Sequence, residues 1–170
     1  NNPDYVRFDT RGAPLPVDPA NSDSPVRRAG TISGLATGLS PMVIAGYVQS
    51  NRLLADYSAA GPVTPTRDAA HASRFGPDAA ALSDESPVLP GVLSAGTRSG
   101  SRVRMNGTSV AAPRVARLVV GALAEGASGD REWLWETAKA TPYDPIGGKK
   151  PRKTRTGGGQ LDIDVPFEHP

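Results

Sequence analysis

Residues 105–120 read MNGTSVAAPRVARLVV. Ser109 sits between a Gly-Thr pair and an apolar run, and Pro113 follows four residues later. Ala111, Val115, Leu118, Val119 and Ala122 recur at i, i+4, i+7, i+8 and i+11, the spacing of one apolar face of a helix. Val120 and Leu123 widen that face, which predicts a well-buried helix stopped by Gly126 and Gly129. Ser109 then falls in the first turn, where backbone N–H groups have no intrahelical partner and the helix dipole favours negative charge. Thr108 or Asn106 is placed to cap the helix, and Gly107 lets the backbone turn while keeping the approach to Ser109 free of side chains. Pro113 costs little this early in a helix and frees the carbonyl of Ser109 for another partner. Ala111 and Ala112 are small enough for the helix to pass beneath neighbouring strands. Two readings of Ser109 follow: a plain helix-capping hydroxyl, or a nucleophile whose attack creates an oxyanion at a site rich in free donors.

Upstream, Met42–Val48 is a short apolar run with β-branched members, the pattern of a strand buried on both faces of a parallel sheet. Arg52 to Tyr57 is expected to pair nearby, and residues 63–76 read as an exposed loop. Asp78 to Leu82, Val92–Ala95 and Arg102–Met105 are further strand candidates. Downstream, Arg131–Lys139 reads as a second helix with Trp133 and Leu134 facing in, and Gln160–Val165 as a last strand. Strands and helices in this order give an α/β fold class.

Composition sets the outer limits. The 170 residues suffice for one domain, with 38% hydrophobic and only 5% aromatic residues. With 19 Gly and 17 Pro, loops take a large share, concentrated at residues 1–34 and 144–159. That balance fits part of a larger fold, or one with long surface excursions. A net charge of +2 argues against a dedicated nucleic-acid binder. Without cysteine there is no disulfide, thiol nucleophile or thiolate metal site. No run approaches the ~20 apolar residues of a membrane span, and no signal peptide is visible. The chain begins Asn1-Asn2 and not with Met, so an upstream segment is expected to have been removed.

The string Gly107-Thr108-Ser109-x-Ala111-x-Pro113 fixes five positions, and at average residue usage chance supplies it in a chain of this size on the order of once in ten thousand. It resembles the nucleophile motif of the subtilisin-like serine peptidases, the subtilases. That motif usually continues with His where this chain has Arg114; the family's His at that place is not the catalytic one. Residues 40–62 (SPMVIAGYVQSNRLLADYSAAGP) resemble the family's apolar strand and following Ser-x-x-Gly-Pro turn. Residues 76–97 (GPDAAALSDESPVLPGVLSAGT) and 156–166 (TGGGQLDIDVP) resemble two later family segments, the first with extra residues before Pro90-Gly91. The resemblance covers about residues 41–165, with 1–40 irregular, and makes residues 1–170 the C-terminal part of one catalytic domain. It implies a three-layer domain with a mostly parallel sheet.

It also implies a serine endopeptidase whose Ser109 forms an acyl-enzyme. Such a serine needs a His as general base and an Asp to orient it. In the family both lie upstream, in Asp-Thr/Ser-Gly and His-Gly-Thr motifs, and neither motif occurs in this chain. Asp9-Thr10-Arg11-Gly12 has one residue too many. The two histidines, His71 in a loop region and His169 in the Pro-bounded tail, read as surface residues; a Ser109–His71 dyad is a distant alternative. The expected partner is therefore the N-terminal half of the same domain, carrying Asp and His and covering an otherwise open apolar sheet edge. The resemblance makes Asn1 or Asn2 a candidate oxyanion-hole asparagine, beside the backbone N–H of Ser109; a plain loop Asn is the other reading. A non-catalytic subtilase-like binding or structural module is the alternative function.

The remaining features have plainer readings. The basic run Lys149-Lys-Pro-Arg-Lys-Thr-Arg155 is expected to be a solvated loop, Asp162 and Asp164 a solvated strand face, and Trp133 and Trp135 helix packing. No cofactor is expected from the residues. Calcium comes with the resemblance alone, since no Asp-rich loop has convincing spacing. The resemblance implies a peptide or protein substrate and leans towards a secreted or periplasmic location; no nucleic-acid or membrane partner is expected.

Overall fold

The computed structural model describes residues 30–63, 74–141 and 152–162, together with the backbone of 7–8 and 14–15. Its elements are β1 (Arg7–Phe8), β2 (Pro14–Leu15), a 3-10 turn at Gly34–Ala36, β3 (Ile44–Val48), β4 (Ala79–Asp84), β5 (Val92–Ala95), β6 (Arg102–Met105), α1 (Thr108–Ala124), α2 (Arg131–Ala140) and the single turn α3 (Lys153–Thr156). β1 and β2 pair antiparallel, a short ladder within the stretch expected to be irregular. The Asp9–Gly12 segment between them, Asn1, Asn2, His71, Asp164 and His169 all lie outside the described residues.

The fold centres on the parallel pair β3–β4, with Ile44 opposite Ala79 and Tyr47 opposite Leu82. Every residue of β4 is buried, as a strand covered on both faces must be. On one face Ala79 and Ala81 meet Ala111 and Val115 of α1, Leu134 and Ala138 of α2, and Leu161. On the other, Ala80 and Leu82 meet Ala45, Tyr47 and Leu54. The small side chains of β4 let two helices approach the sheet closely. The mixed helix–strand core with a parallel pair is an α/β arrangement. Both long helices pack on the same face, so the described residues do not assemble three layers.

Both outer sides of the β3–β4 pair are partly covered among the described residues. Leu54 bridges antiparallel to Tyr47 on the outer side of β3, with Val48 N–H donating to Leu53 O at 2.9 Å and Ala55 N–H to Gly46 O at 2.9 Å. Gln160 bridges parallel to Ala80 on the outer side of β4. On the outer side of β4, Ala80 N–H donates to Gly159 O at 2.9 Å and Leu161 N–H donates to Ala80 O at 2.7 Å, so each edge is met over about one residue pair. Only this bridge remains of the expected strand at 160–165, whose later residues are outside the described ones.

α1 begins and ends as its pattern requires, but it is half exposed and not deeply buried. Ala111 and Val115 are buried, whereas Ala112 is exposed and Val120 and Leu123 are 65% and 52% exposed. Two strands and one helix offer too narrow a floor to cover more than one stripe of a helix. α2 follows the sequence closely: Asp130 caps it by accepting from Trp133 N–H at 2.8 Å, Leu134 is fully buried, and Trp133 packs at the margin of the core.

Two segments read as loose are in fact packed. Arg74 ends the expected exposed loop yet is 2% exposed. Its Nη1 donates to Asp78 Oδ2 at 2.8 Å, its Nε and Nη2 donate to Gly38 O at 3.1 and 2.8 Å, and Nη2 also donates to Pro41 O at 2.5 Å. Asp78, also 2% exposed, further accepts from Val43 N–H at 2.8 Å and from Arg131 Nη2 at 2.7 Å. One carboxylate thereby joins β3, β4 and the start of α2. The glycine-rich stretch after α3 is likewise internal: Gly157 adopts φ 63°, and an added Cβ there would run into the backbone of Asp78. Within the basic run, Arg152 and Lys153 are exposed as expected, but Arg155 is half-buried and donates through Nη2 to Ala55 O at 3.5 Å. Asp162 is exposed and pairs with Arg52 at 3.2 Å.

Gln160 is 1% exposed, and among the described residues neither its Oε1 nor its Nε2 has a hydrogen-bond partner. A buried amide left unpaired costs about 1–3 kcal/mol. Gln160→Met keeps the unbranched shape and removes the polar atoms. The variant should be more stable than the parent by about 1 kcal/mol in urea denaturation; a lower midpoint would contradict this reading.

Candidate active site

The turn Asn106-Gly107 delivers the chain from β6 into α1. Gly107 is the N-cap residue with φ 122° and ψ 161°, a conformation that side chains disfavour. No side chain caps the helix, contrary to the expectation for Thr108 or Asn106. Thr108 is already the first helical residue, and Asn106 turns away, its Nδ2 donating to Asp84 Oδ2 at 3.2 Å. Ser109 is the second helical residue and is exposed, and among the described residues its hydroxyl has no hydrogen-bond partner. It is therefore not consumed as a cap, and it stands beside the uncapped donors of the first turn.

Three side chains that sequence reasoning missed hold this turn. Tyr57 Oη accepts from Gly107 N–H at 3.1 Å and lies 2.9 Å from Ser83 Oγ. Gly107 N–H is shared with Ser83 O at 3.3 Å. Asp84, 6% exposed, accepts from Gly91 N–H at 2.5 Å as well as from Asn106, tying the end of β4 to the start of β5 and the end of β6. Burial pushes the Tyr57 phenol above its ordinary pKa; the nearby Asp84 charge adds to this, and the bonds to Ser83 and Gly107 oppose it. Tyr57 is therefore a neutral phenol at physiological pH. The one sequence signal for this group is the Tyr57-Ser58-x-x-Gly61-Pro62 turn, which marks a packed corner without naming its partner 50 residues on.

Removing the phenol oxygen should loosen the turn without unfolding the chain, because Ser83 O still accepts from Gly107. Tyr57→Phe should lower stability by about 0.5–1.5 kcal/mol and speed hydrogen exchange at Gly107 N–H, both readable by NMR. Unchanged exchange at that amide would contradict the assignment.

Ser109 lies open on the surface and does not line the shallow depression of the β5–β6 ribbon. Neither histidine is among the described residues, and no base lies against Ser109 among them. The oxyanion candidates Asn1 and Asn2 are not placed either. Among the described residues no group of three or more His, Cys, Asp or Glu side chains could hold a metal ion, so calcium has no ligand set there and no step is assigned to it. No described helix is long and apolar enough to cross a membrane. In comparisons with known proteins, no family model, no curated protein and no solved structure matches the chain.

Proposed function

We propose that the chain is the nucleophile-bearing part of a subtilisin-like serine endopeptidase, completed by a segment that supplies Asp and His. The observation that carries this reading is Ser109 itself. It belongs to Gly107-Thr108-Ser109-x-Ala111-x-Pro113, stands exposed in the first turn of α1, and is not used as a cap. Ser109 Oγ attacks the peptide carbonyl carbon, and the upstream imidazole takes the hydroxyl proton. The C–N bond then breaks, the amine leaves with that proton, and water hydrolyses the resulting ester. The negative oxygen formed on attack is held by backbone N–H groups of the helix start, Ser109's own among them, and by an asparagine side chain for which Asn1 and Asn2 are the candidates.

The parent gene gives the first test. Asp-Thr/Ser-Gly and His-Gly-Thr motifs encoded upstream support the peptidase, and their absence excludes it in favour of a non-catalytic module. Co-expression of both parts, followed by a fluorophosphonate probe, gives the second.

A further inference from the structure

β5 and β6 form a two-stranded ribbon that is exposed along most of its length: Val92 is the sole half-buried residue of the two strands, and the other seven are exposed. Such a ribbon leaves each strand with one edge that has no strand beside it among the described residues. Its tip is nonetheless rigid. Ser101 Oγ donates to Arg98 O at 2.7 Å and accepts from Arg98 N–H at 3.2 Å, while Gly96 N–H donates to Ser101 O at 2.8 Å. A side chain at Gly96 would run into Ser101 Oγ, so the tip is closed around a missing side chain.

The face of the ribbon formed by residues 93–102 is a shallow depression, widely open to solvent. These residues include two guanidinium groups, Arg98 and Arg102, and no carboxylate. Neither arginine side chain has a hydrogen-bond or ion-pair partner among the described residues. Arg104, the next basic residue along β6, is different: it pairs with Glu85 at 2.6 Å and donates to Gly91 O at 2.6 Å. Two carboxylates stand at the base of the ribbon: Glu85 is paired with Arg104, and Asp84 is buried against Gly91 N–H and Asn106. Arg98 and Arg102, at the other end, have no ion-pair partner among the described residues. Successive side chains of a strand point to opposite faces, so Leu93, 49% exposed, shares the face of Arg102 and Arg104, while Val103 and Met105, 39% and 55% exposed, lie on the other face.

We propose that the β5–β6 ribbon is a docking site for an extended acidic peptide. The peptide lies along a free edge as a further strand, main chain to main chain, and its alternate carboxylates pair with Arg98 and Arg102. Two arginines at and beside the tip of a short ribbon match a few residues of peptide, whereas nucleic acid is met by longer basic faces. Because β6 ends four residues before Ser109, the same strand would carry a bound segment towards the nucleophile; calling that segment a substrate rests on the function proposed above, and the docking itself does not.

The test is fluorescence anisotropy of a labelled peptide, Glu-Val-Asp-Val-Glu, titrated with the Ser109→Ala chain so that cleavage cannot intervene. The neutral twin, Gln-Val-Asn-Val-Gln, is titrated in parallel. The acidic peptide should bind at least about tenfold more tightly than the twin, and high salt should weaken it. Arg98→Gln with Arg102→Gln should cost about tenfold or more in affinity, while Lys153→Gln, exposed and away from the ribbon, should leave it unchanged. Both arginine side chains are free on the surface, so the urea midpoint of the double variant should match the parent and exclude misfolding as the cause. Equal binding of acidic and neutral peptides, or full affinity in the double variant, overturns the proposal. So does a single-stranded oligonucleotide that binds more tightly than the peptide. A negative result leaves Ser109 untouched, and an inert Ser109 leaves the ribbon untouched.

Discussion

Asp78→Ala is expected to lower the stability of the chain by about 3–5 kcal/mol, enough to unfold a marginal domain. The Arg74 side chain is 1% exposed and Asp78 is its one carboxylate partner among the described residues. Removing that carboxylate leaves a guanidinium buried with two carbonyl acceptors but no negative charge. It also strands Val43 N–H at the entry to β3 and releases Arg131 at the start of α2. Loss of Arg131 alone should cost far less, since its side chain is 31% exposed and water can replace the bond. A second substitution, Arg74→Met in the Asp78→Ala background, should recover part of the loss by removing the orphaned charge. Urea denaturation of the four proteins reads all of this. An Asp78→Ala midpoint within about 0.5 kcal/mol of the parent would show that the network does not hold these segments together.

Ser109→Ala is expected to have the largest functional effect. In a complete protein carrying the upstream Asp and His, peptide hydrolysis should fall by about a millionfold, to the level that binding and oxyanion donors alone sustain. Stability should barely change, because the Ser109 hydroxyl is exposed and makes no hydrogen bond among the described residues. That combination separates a nucleophile from a structural serine, whose loss would be felt in the denaturation midpoint and not in turnover. His71→Ala should leave turnover unchanged on the reading that His71 is a surface residue.

The elements fixed by local chemistry were legible in the sequence. The strands Val92–Ala95 and Arg102–Met105 and the start of α1 after Gly107 fall where alternation and turn residues put them. α2, at Arg131–Ala140, falls on the Arg131–Lys139 stretch that its inward-facing Trp133 and Leu134 marked as a helix. What was not legible depends on partners far along the chain. Nothing beside Arg74 announces that Gly38 and Pro41, more than 30 residues upstream, will receive its guanidinium. Gly157 reads as loop until the backbone of Asp78 is found against it. Val120 and Leu123 carry the right spacing for burial, but spacing records which face is apolar and not how much floor exists to cover it.

The candidate site divides in the same way. Ser109 was singled out because five nearby positions together resemble one motif, and the structure places it exposed in the first turn of α1. Tyr57, Ser83 and Asp84 were not, because each supports the Gly107 turn from at least 20 residues away. The uncapped helix start was also hidden: Thr108 and Asn106 both have capping side chains, and only the φ of 122° at Gly107 shows that neither occupies the capping position.

Fluorophosphonate labelling tests the central claim most directly, because the probe reports a serine made nucleophilic by a positioned base and oxyanion donors. The 170-residue chain alone should label at background, the chain joined to its upstream segment should label at one site, and Ser109→Ala should abolish that label. Strong labelling of the lone chain that disappears in His71→Ala, or an inert Ser109 in the complete protein, would contradict the account.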